Sequence, residues 1–392
     1  MTFNFSSVKP DPSRSTKWGN CAAIMGQEPR EGTLPMWLAQ MDFPPAPVLQ
    51  EAIIKLSETG EYGYFTGLDT FQNAVCWWYK TRFGWSPKPE HVIATHGIGN
   101  AIGLTLQAMT EPGDGIVIFT PVYNEFMAKV QRNGRTVVES PLLIDEEGLF
   151  RLDLDALDGR MTGSEKIMLI SSPHNPAGRV WNVAELRAMA TFCEKHDLLL
   201  VSDEIHMDLA FPGQTQVPTA LAAPDALPRL IVLSAASKTF DIAGLRTGYA
   251  IIPDETLRTR FASLHRALDI QPNRVGLEMT IAAYSPQGAA WVDALQKVLA
   301  ENAKVLSDGL NDLPGITVMP MQGTFLAWID FAKTGLTSKE IMDRVQNDAR
   351  IAVSPGHIFG ARDETCVRLN IGTPRSHIEE AVSRLRSAFA NL

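Results

Sequence analysis

Lys238 stands in Ser234-Ala235-Ala236-Ser237-Lys238-Thr239-Phe240, directly after the apolar run Leu230-Ile231-Val232-Leu233. An amine fixed at the end of a buried strand gives up its proton more readily than a solvated one, because burial disfavours the charged form. Once neutral, such an amine can form a Schiff base with a carbonyl. Taken alone, Lys238 fits an ordinary loop lysine better, since lysines mostly stay in water. Its neighbours in the pattern decide the matter. Asp203 closes another apolar run, Leu198–Ser202. A carboxylate there could cap a helix, pair with an arginine, or hold the protonated nitrogen of an aromatic heterocycle. Asn175, in His174-Asn175-Pro176-Ala177-Gly178, is either a plain turn residue or an amide aimed at a ring oxygen. Tyr123, just past Pro121, belongs either to the core or to a stack on a planar ligand. Arg246 follows Lys238 by eight residues. Arg368, in Cys366-Val367-Arg368-Leu369-Asn370, alternates with apolar neighbours; its guanidinium suits a bidentate pair with a carboxylate, or a surface ion pair.

These residues share a position type: each follows a predicted strand or lies close to its end. Apolar runs at His91–Thr95, Gly115–Phe119, Thr136–Val138, Lys166–Ile170, Leu198–Ser202, Leu230–Leu233 and Tyr249–Ile252 alternate with helical stretches such as Val48–Leu56, Asn100–Met109 and Val183–His196, the last opening from Asn182 as N-cap. Near-continuous apolar strands separated by helices predict a mostly parallel sheet covered on both faces, an α/β fold of three layers. Ligands of open α/β sheets bind at the carboxyl ends of the strands, so these polar residues are expected to converge. The turn Gly97-Ile98-Gly99 before a helix offers backbone N–H groups to a phosphate. Its G-x-G-x-x-x-G spacing is only close to a dinucleotide fingerprint, and no clean ribose-binding acid follows. Residues 1–45 read as an irregular segment, residues 46–285 as the large domain, and residues 286–392 as a smaller α+β domain.

The chain has 392 residues, 45% hydrophobic and 20% charged, with a formal net charge of −9. That balance argues against nucleic acid as a partner, which needs clustered basic residues. No apolar run approaches the roughly 18 residues of a membrane span, and the N-terminus lacks a signal-peptide pattern. Four separated cysteines without a Cys-x-x-Cys pair suit a reducing cytoplasm and give no metal or redox motif. His206 near Asp203 and Asp208 lacks a third ligand, so no metal site is expected.

The ordered set Asn175, Asp203, Lys238, Arg246 and Arg368 resembles the fold-type I pyridoxal 5′-phosphate (PLP) enzymes, the class I/II aminotransferase-like family. Within it, Leu34-Pro35-Met36-Trp37-Leu38-Ala39-Gln40-Met41-Asp42-Phe43-Pro44, Tyr62-Gly63-Tyr64, Asp203-Glu204-Ile205-His206 and Ser237–Leu245 resemble the PatB/MalY branch of carbon–sulfur β-lyases. The resemblance implies that Lys238 carries the cofactor, that Asp203 pairs with its ring nitrogen, and that Asn175 contacts its ring oxygen while Tyr123 stacks on the ring. It implies that Ile98, Gly99, Ser237 and Arg246 hold the phosphate, with Tyr64 entering from the second subunit of a homodimer with shared active sites. Arg368 would clamp the substrate carboxylate, with Ala39, Gln40 and Asn175 in the same pocket, and the 1–45 segment would join the small domain to the active site. His206 takes a place where many aminotransferases have tyrosine, which favours the lyase branch. Two departures bear on the substrate: Gln40 stands where the branch usually has aspartate, and Arg246 where many of its members have glutamine.

The implied activity is β-elimination from an S-substituted L-cysteine such as L-cystathionine, with Lys238 as base and Lys238 or Tyr123 protonating the leaving sulfur. The rival is an aminotransferase acting on an L-amino acid and a 2-oxo acid. Two further readings are a cofactor-binding regulator, which has no sequence feature of its own, and a nicotinamide-dependent dehydrogenase using the glycine turn Gly97–Gly99. Side-chain selectivity is expected in loops such as 10–33 and 355–362.

Overall fold

The computed structural model describes residues 3–9, 14–360 and 364–392, so parts of the two loops expected to set selectivity lie outside the described residues. Seven strands form the main sheet: β1 (Val92–Thr95), β2 (Gly115–Thr120), β3 (Thr136–Pro141), β4 (Glu165–Ser171), β5 (Leu199–Asp203), β6 (Leu230–Ser234) and β7 (Gly248–Ile251). Their order across the sheet is β1-β7-β6-β5-β4-β2-β3, with β7 alone antiparallel to its neighbours. The α/β expectation of a mostly parallel sheet therefore holds.

Side chains alternate between two cores. Val117, Met168, Leu200 and Val232 pack into one, and Ile116, Ile167, Val201 and Ile231 into the other. Each such side chain contributes about 1.5–3 kcal/mol when fully buried. That is why these runs read as continuous apolar segments instead of alternating ones. Register then fixes the functional edge. Ser171 is paired with Asp203, and Asp203 with Leu233, so β4, β5 and β6 end at the same level.

A four-stranded antiparallel sheet, Thr317–Val318, Leu326–Asp330, Cys366–Asn370 and Ser354–Pro355 in spatial order, forms the second, smaller α+β unit. The helices Pro286–Leu310 and Arg375–Ala388 pack beside it. The segment Ile351–Ala352 stands outside this sheet and pairs in parallel with Leu34–Pro35. This pairing ties the N-terminal segment to the smaller unit.

Several elements correct the sequence reading. The first 45 residues are not wholly irregular: Thr16–Gly19 and Cys21–Met25 are short helices, the first capped by Ser15, whose hydroxyl accepts from the Lys17 amide. The helix Leu68–Phe83 had no counterpart among the expected elements, although it buries Phe71, Val75, Trp78 and Tyr79 on one face. In the smaller α+β unit the helix Ser338–Asp343 runs on into a π turn, Arg344–Asp348.

Candidate active site

The carboxyl ends of β4, β5 and β6 open onto a cavity of about 630 Å³. Its walls include Ala39, Ile98, Gly99, Tyr123, Asn175, Asp203, His206, Ser237, Lys238 and Arg246. Residues from far-separated parts of the chain are thus brought together at one place, each by a local device.

Lys238 lies in a tight turn closed by Phe240 N–H to Ala236 O at 2.9 Å. Its neighbours are pinned on both sides. Thr239 Oγ1 donates to the buried Asp208 at 3.0 Å, and Trp78 Nε1 donates to the other oxygen of Asp208 at 2.9 Å. Asp241 accepts the Met41 amide at 2.9 Å and is paired with Lys9. The Lys238 amine donates to Ala39 O at 2.8 Å. Burial pulls it down to about 8, against the opposing pull of Asp241 and Asp203, so roughly a tenth of it is neutral at pH 7.

Asp203 ends β5, its carboxylate accepting the Ile205 amide at 3.1 Å as in an Asx turn. Burial pushes it up to about 7, the Ile205 bond and Lys238 pulling the other way. A cation placed against it would hold it ionised. His206 is buried, its Nδ1 without a hydrogen-bond partner among the described residues and its ring edge-on to Phe325. Burial, aided by Lys238 and Arg368, lowers it to about 3, so it stays a neutral imidazole.

Asn175 is held in its turn by Ser171 Oγ, which accepts its amide at 3.3 Å. Its carbonyl accepts the Tyr123 amide at 3.1 Å, so the two residues are placed together. Burial raises the Tyr123 phenol, with Glu125 adding to the effect. The Asn175 side-chain oxygen accepts from Arg368 Nη1 at 3.1 Å. Arg368 does not touch solvent as a surface ion pair would: it is buried, donates from Nη2 to Trp37 O at 2.8 Å and to Ser354 Oγ at 3.3 Å, and lies over the Phe359 ring at 4.7 Å. Burial lowers even this guanidinium to about 10. Its Nε has no partner among the described residues, so donors remain for a ligand carboxylate.

The opposite end of the cleft is built for an anion. Gly97 (φ 80°) turns the chain into the helix Ile98–Met109, and a Cβ on Gly248 would lie 3.2 Å from Gly97 Cα. Arg246, exposed and also at positive φ, makes no guanidinium hydrogen bond or ion pair among the described residues. Ser237 stands beside it, buried, with its hydroxyl 3.4 Å from Thr247 O.

Three expected residues do not line this cavity: Arg368 reaches it only through Asn175, and Gln40 and Tyr64 lie elsewhere. Gln40 does not line the cleft; its side chain accepts from Ser15 Oγ at 3.2 Å, while its carbonyl accepts Asn370 Nδ2. Tyr64 is fully exposed on this chain. Residues that the sequence did not single out are Lys129 and Glu125, both on the cleft wall, and the pairs Lys9–Asp241 and Lys17–Asp42. Only the fold brings the members of these two pairs together. Among the described residues no group of His, Cys, Asp and Glu could hold a metal ion.

The cleft suits PLP. The Lys238 amine, the buried Asp203 carboxylate without an ion pair among the described residues, and Arg246 beside a helix start suit an aldehyde, a protonated ring nitrogen and a phosphate in turn. Comparison with known proteins agrees. The family model for aminotransferase class I and II matches residues 36–385. The chain is 33% identical to cystathionine beta-lyase PatB of Bacillus subtilis, over 96% of this chain and 97% of that one. It is 32% identical to protein MalY of Escherichia coli, over 99% of both. Among solved structures, cystalysin from Treponema denticola, which contains a pyridoxal 5′-phosphate cofactor, superposes with a TM-score of 0.94 at 30% identity, covering all of both chains. The chain belongs to the class I and II aminotransferase family, fold-type I enzymes whose cofactor is PLP.

Proposed function

We propose that the protein is a PLP-dependent carbon–sulfur β-lyase that eliminates thiol from an S-substituted L-cysteine such as L-cystathionine, giving pyruvate and ammonia. The observation that carries this reading is the joint placement of the Lys238 amine and Asp203 in one cleft, with Arg368 reached through Asn175. When bound, PLP supplies an electron sink for the pair left by loss of the Cα proton. Arg368, held in place by Trp37 O, Ser354 and the Phe359 ring, binds the substrate carboxylate through its remaining donor capacity, which fixes the amino acid's orientation. Lys238, lowered to about 8, takes the Cα proton as general base at neutral pH. Asp203 holds a proton at the ring nitrogen, and Arg246, Ser237 and the Ile98 and Gly99 amides bind phosphate. Tyr123 or Lys238 returns a proton to the departing sulfur. The similarity to proteins named cystathionine beta-lyase supports lyase chemistry.

Arg246 and the family as a whole favour the second reading, an aminotransferase. Purified protein with L-cystathionine and no added 2-oxo acid separates the two. Pyruvate and thiol under those conditions support the lyase; turnover that stops until a 2-oxo acid is added overturns it.

We further read the chain as a homodimer of the reducing cytoplasm. Tyr62, Tyr64, Phe65 and Leu68 are exposed within one short stretch, as are Ile53 and Ile54 on the preceding helix, as an interface would require, and four widely separated cysteines suit that compartment. Tyr64 reaches the partner's phosphate in this reading. The divisions 1–45, 46–285 and 286–392 are part of it, supported by the pairing of Leu34–Pro35 with Ile351–Ala352. Full activity in a monomer, measured by sedimentation at assay concentration, would remove the role of Tyr64.

A further inference from the structure

The anion-binding end of the cleft carries a second cation. Lys129 lines the same cavity as Gly99, Asn100 and Arg246. It stands on the helix Asn124–Arg132, which starts directly after Tyr123 and packs beside the helix Ile98–Met109. A Cβ on Gly99 would lie 2.8 Å from Lys129 Cε and 3.1 Å from Nζ. The bare Cα of Gly99 is what lets this amine lie over the first turn of the neighbouring helix. Any larger residue there would push it away.

The amine is not committed elsewhere. Its ion-pair partner among the described residues is Glu125, at 3.4 Å, longer than a good charged hydrogen bond. Glu125 is shared, since Arg132 Nη1 donates to the same oxygen at 3.1 Å. The carboxylate therefore keeps a partner if Lys129 leaves. A phosphate monoester carries about −1.5 to −2 charges at neutral pH. Arg246 and a helix N-terminus together offset about 1.5 of these, which leaves up to about half a charge for a further cation to offset.

We propose that Lys129 is a binding residue for the phosphate of the cofactor, moving from Glu125 to a phosphate oxygen and acting with Arg246 across the turn Gly97–Gly99. This rests on the PLP reading above and adds to it a residue that the motifs of the chain do not mark. Glu125 is then a positioning residue that parks the amine at the cleft before the phosphate arrives.

The test uses cofactor-free full-length protein and measures dissociation constants by tryptophan fluorescence for PLP and for pyridoxal, which lacks the phosphate. Lys129→Met should weaken PLP binding about tenfold to a hundredfold, as for a lost charge-assisted hydrogen bond. Pyridoxal affinity should stay within twofold, which also shows that the variant is folded. Lys129→Arg should restore most of the PLP affinity, and inorganic phosphate should compete with PLP less well in Lys129→Met than in the wild type. Equal PLP affinity in Lys129→Met and wild type overturns the assignment. So does an equal loss for PLP and pyridoxal, which would make Lys129 a structural residue. Wild-type protein that binds no PLP overturns the underlying reading itself, and is distinguished by that result alone.

Discussion

Asp42 tests how the N-terminal segment is fastened over the cleft. Lys17 is fully enclosed, and its amine donates to Asp42 Oδ2 at 2.8 Å. Asp42 Oδ1 accepts Trp18 Nε1 at 2.7 Å, while the Asp42 amide donates to Gly372 O at 2.8 Å and its carbonyl accepts the Lys9 amide at 2.8 Å. Asp42→Asn keeps shape but leaves the Lys17 ammonium buried without its counter-charge. Removing one member of a buried pair costs about 3–5 kcal/mol. The double variant Lys17→Met with Asp42→Asn replaces the whole pair by neutral groups and should recover most of that. Urea midpoints of cofactor-free protein, followed by near-ultraviolet circular dichroism, give the comparison. The pH dependence has a fixed sign. Burial already lowers the pKa of Lys17 in the folded state, and Asp42 opposes that shift. Without Asp42 the folded value falls further below the unfolded one. Between the two values the unfolded chain binds more protons, so stability of the variant rises with pH. Its deficit against wild type should be full at neutral pH and narrow toward the ordinary lysine range of about 10. A deficit below about 1 kcal/mol, the size of a surface pair, would refute the claim that this pair is a buried fastening.

Three further outcomes follow from the site. Lys238 must be neutral to attack an aldehyde, and burial places it at about 8; the rate of PLP uptake by cofactor-free protein, followed by absorbance, should therefore rise with pH and level off above that value. Arg368→Lys cannot keep the contacts to Asn175, Trp37 O and Ser354 from one planar group; KM for the amino acid should rise about 100-fold, as for loss of a charge-assisted bidentate contact, with kcat changed far less in steady-state assays. At Gly178 (φ 66°) a Cβ would lie 2.4 Å from Gly323 O; Gly178→Ala should lower the melting temperature by about 1–3 °C, since backbone strain costs about 1–2 kcal/mol and the clash adds to it.

Much of the site was legible because its residues follow apolar runs, and a buried strand writes its position plainly in sequence. Asp203 and Lys238 could be found that way. Arg368 was harder: strand alternation suggested a face turned outward, yet that face is covered by Trp37, Ser354 and Phe359, which come from distant segments. The reversed direction of β7 leaves no mark in Tyr249–Ile252, because an apolar run reads the same either way. Lys129 and Glu125, four residues apart on a helix, look like an ordinary solvated pair; only the packing of that helix against Gly99 gives the amine a use. The helix Leu68–Phe83 escaped because Trp77, Trp78 and Tyr79 blur its helical period, although Gly84 terminates it in the left-handed conformation.

The central claim is that Lys238 is the residue that carries the cofactor. Borohydride reduction of the PLP-loaded protein, followed by digestion and mass spectrometry, tests it directly. The account expects a phosphopyridoxyl group on the peptide containing Lys238, and none in Lys238→Ala. Label on another lysine of the wild-type protein, or none at all, would contradict it.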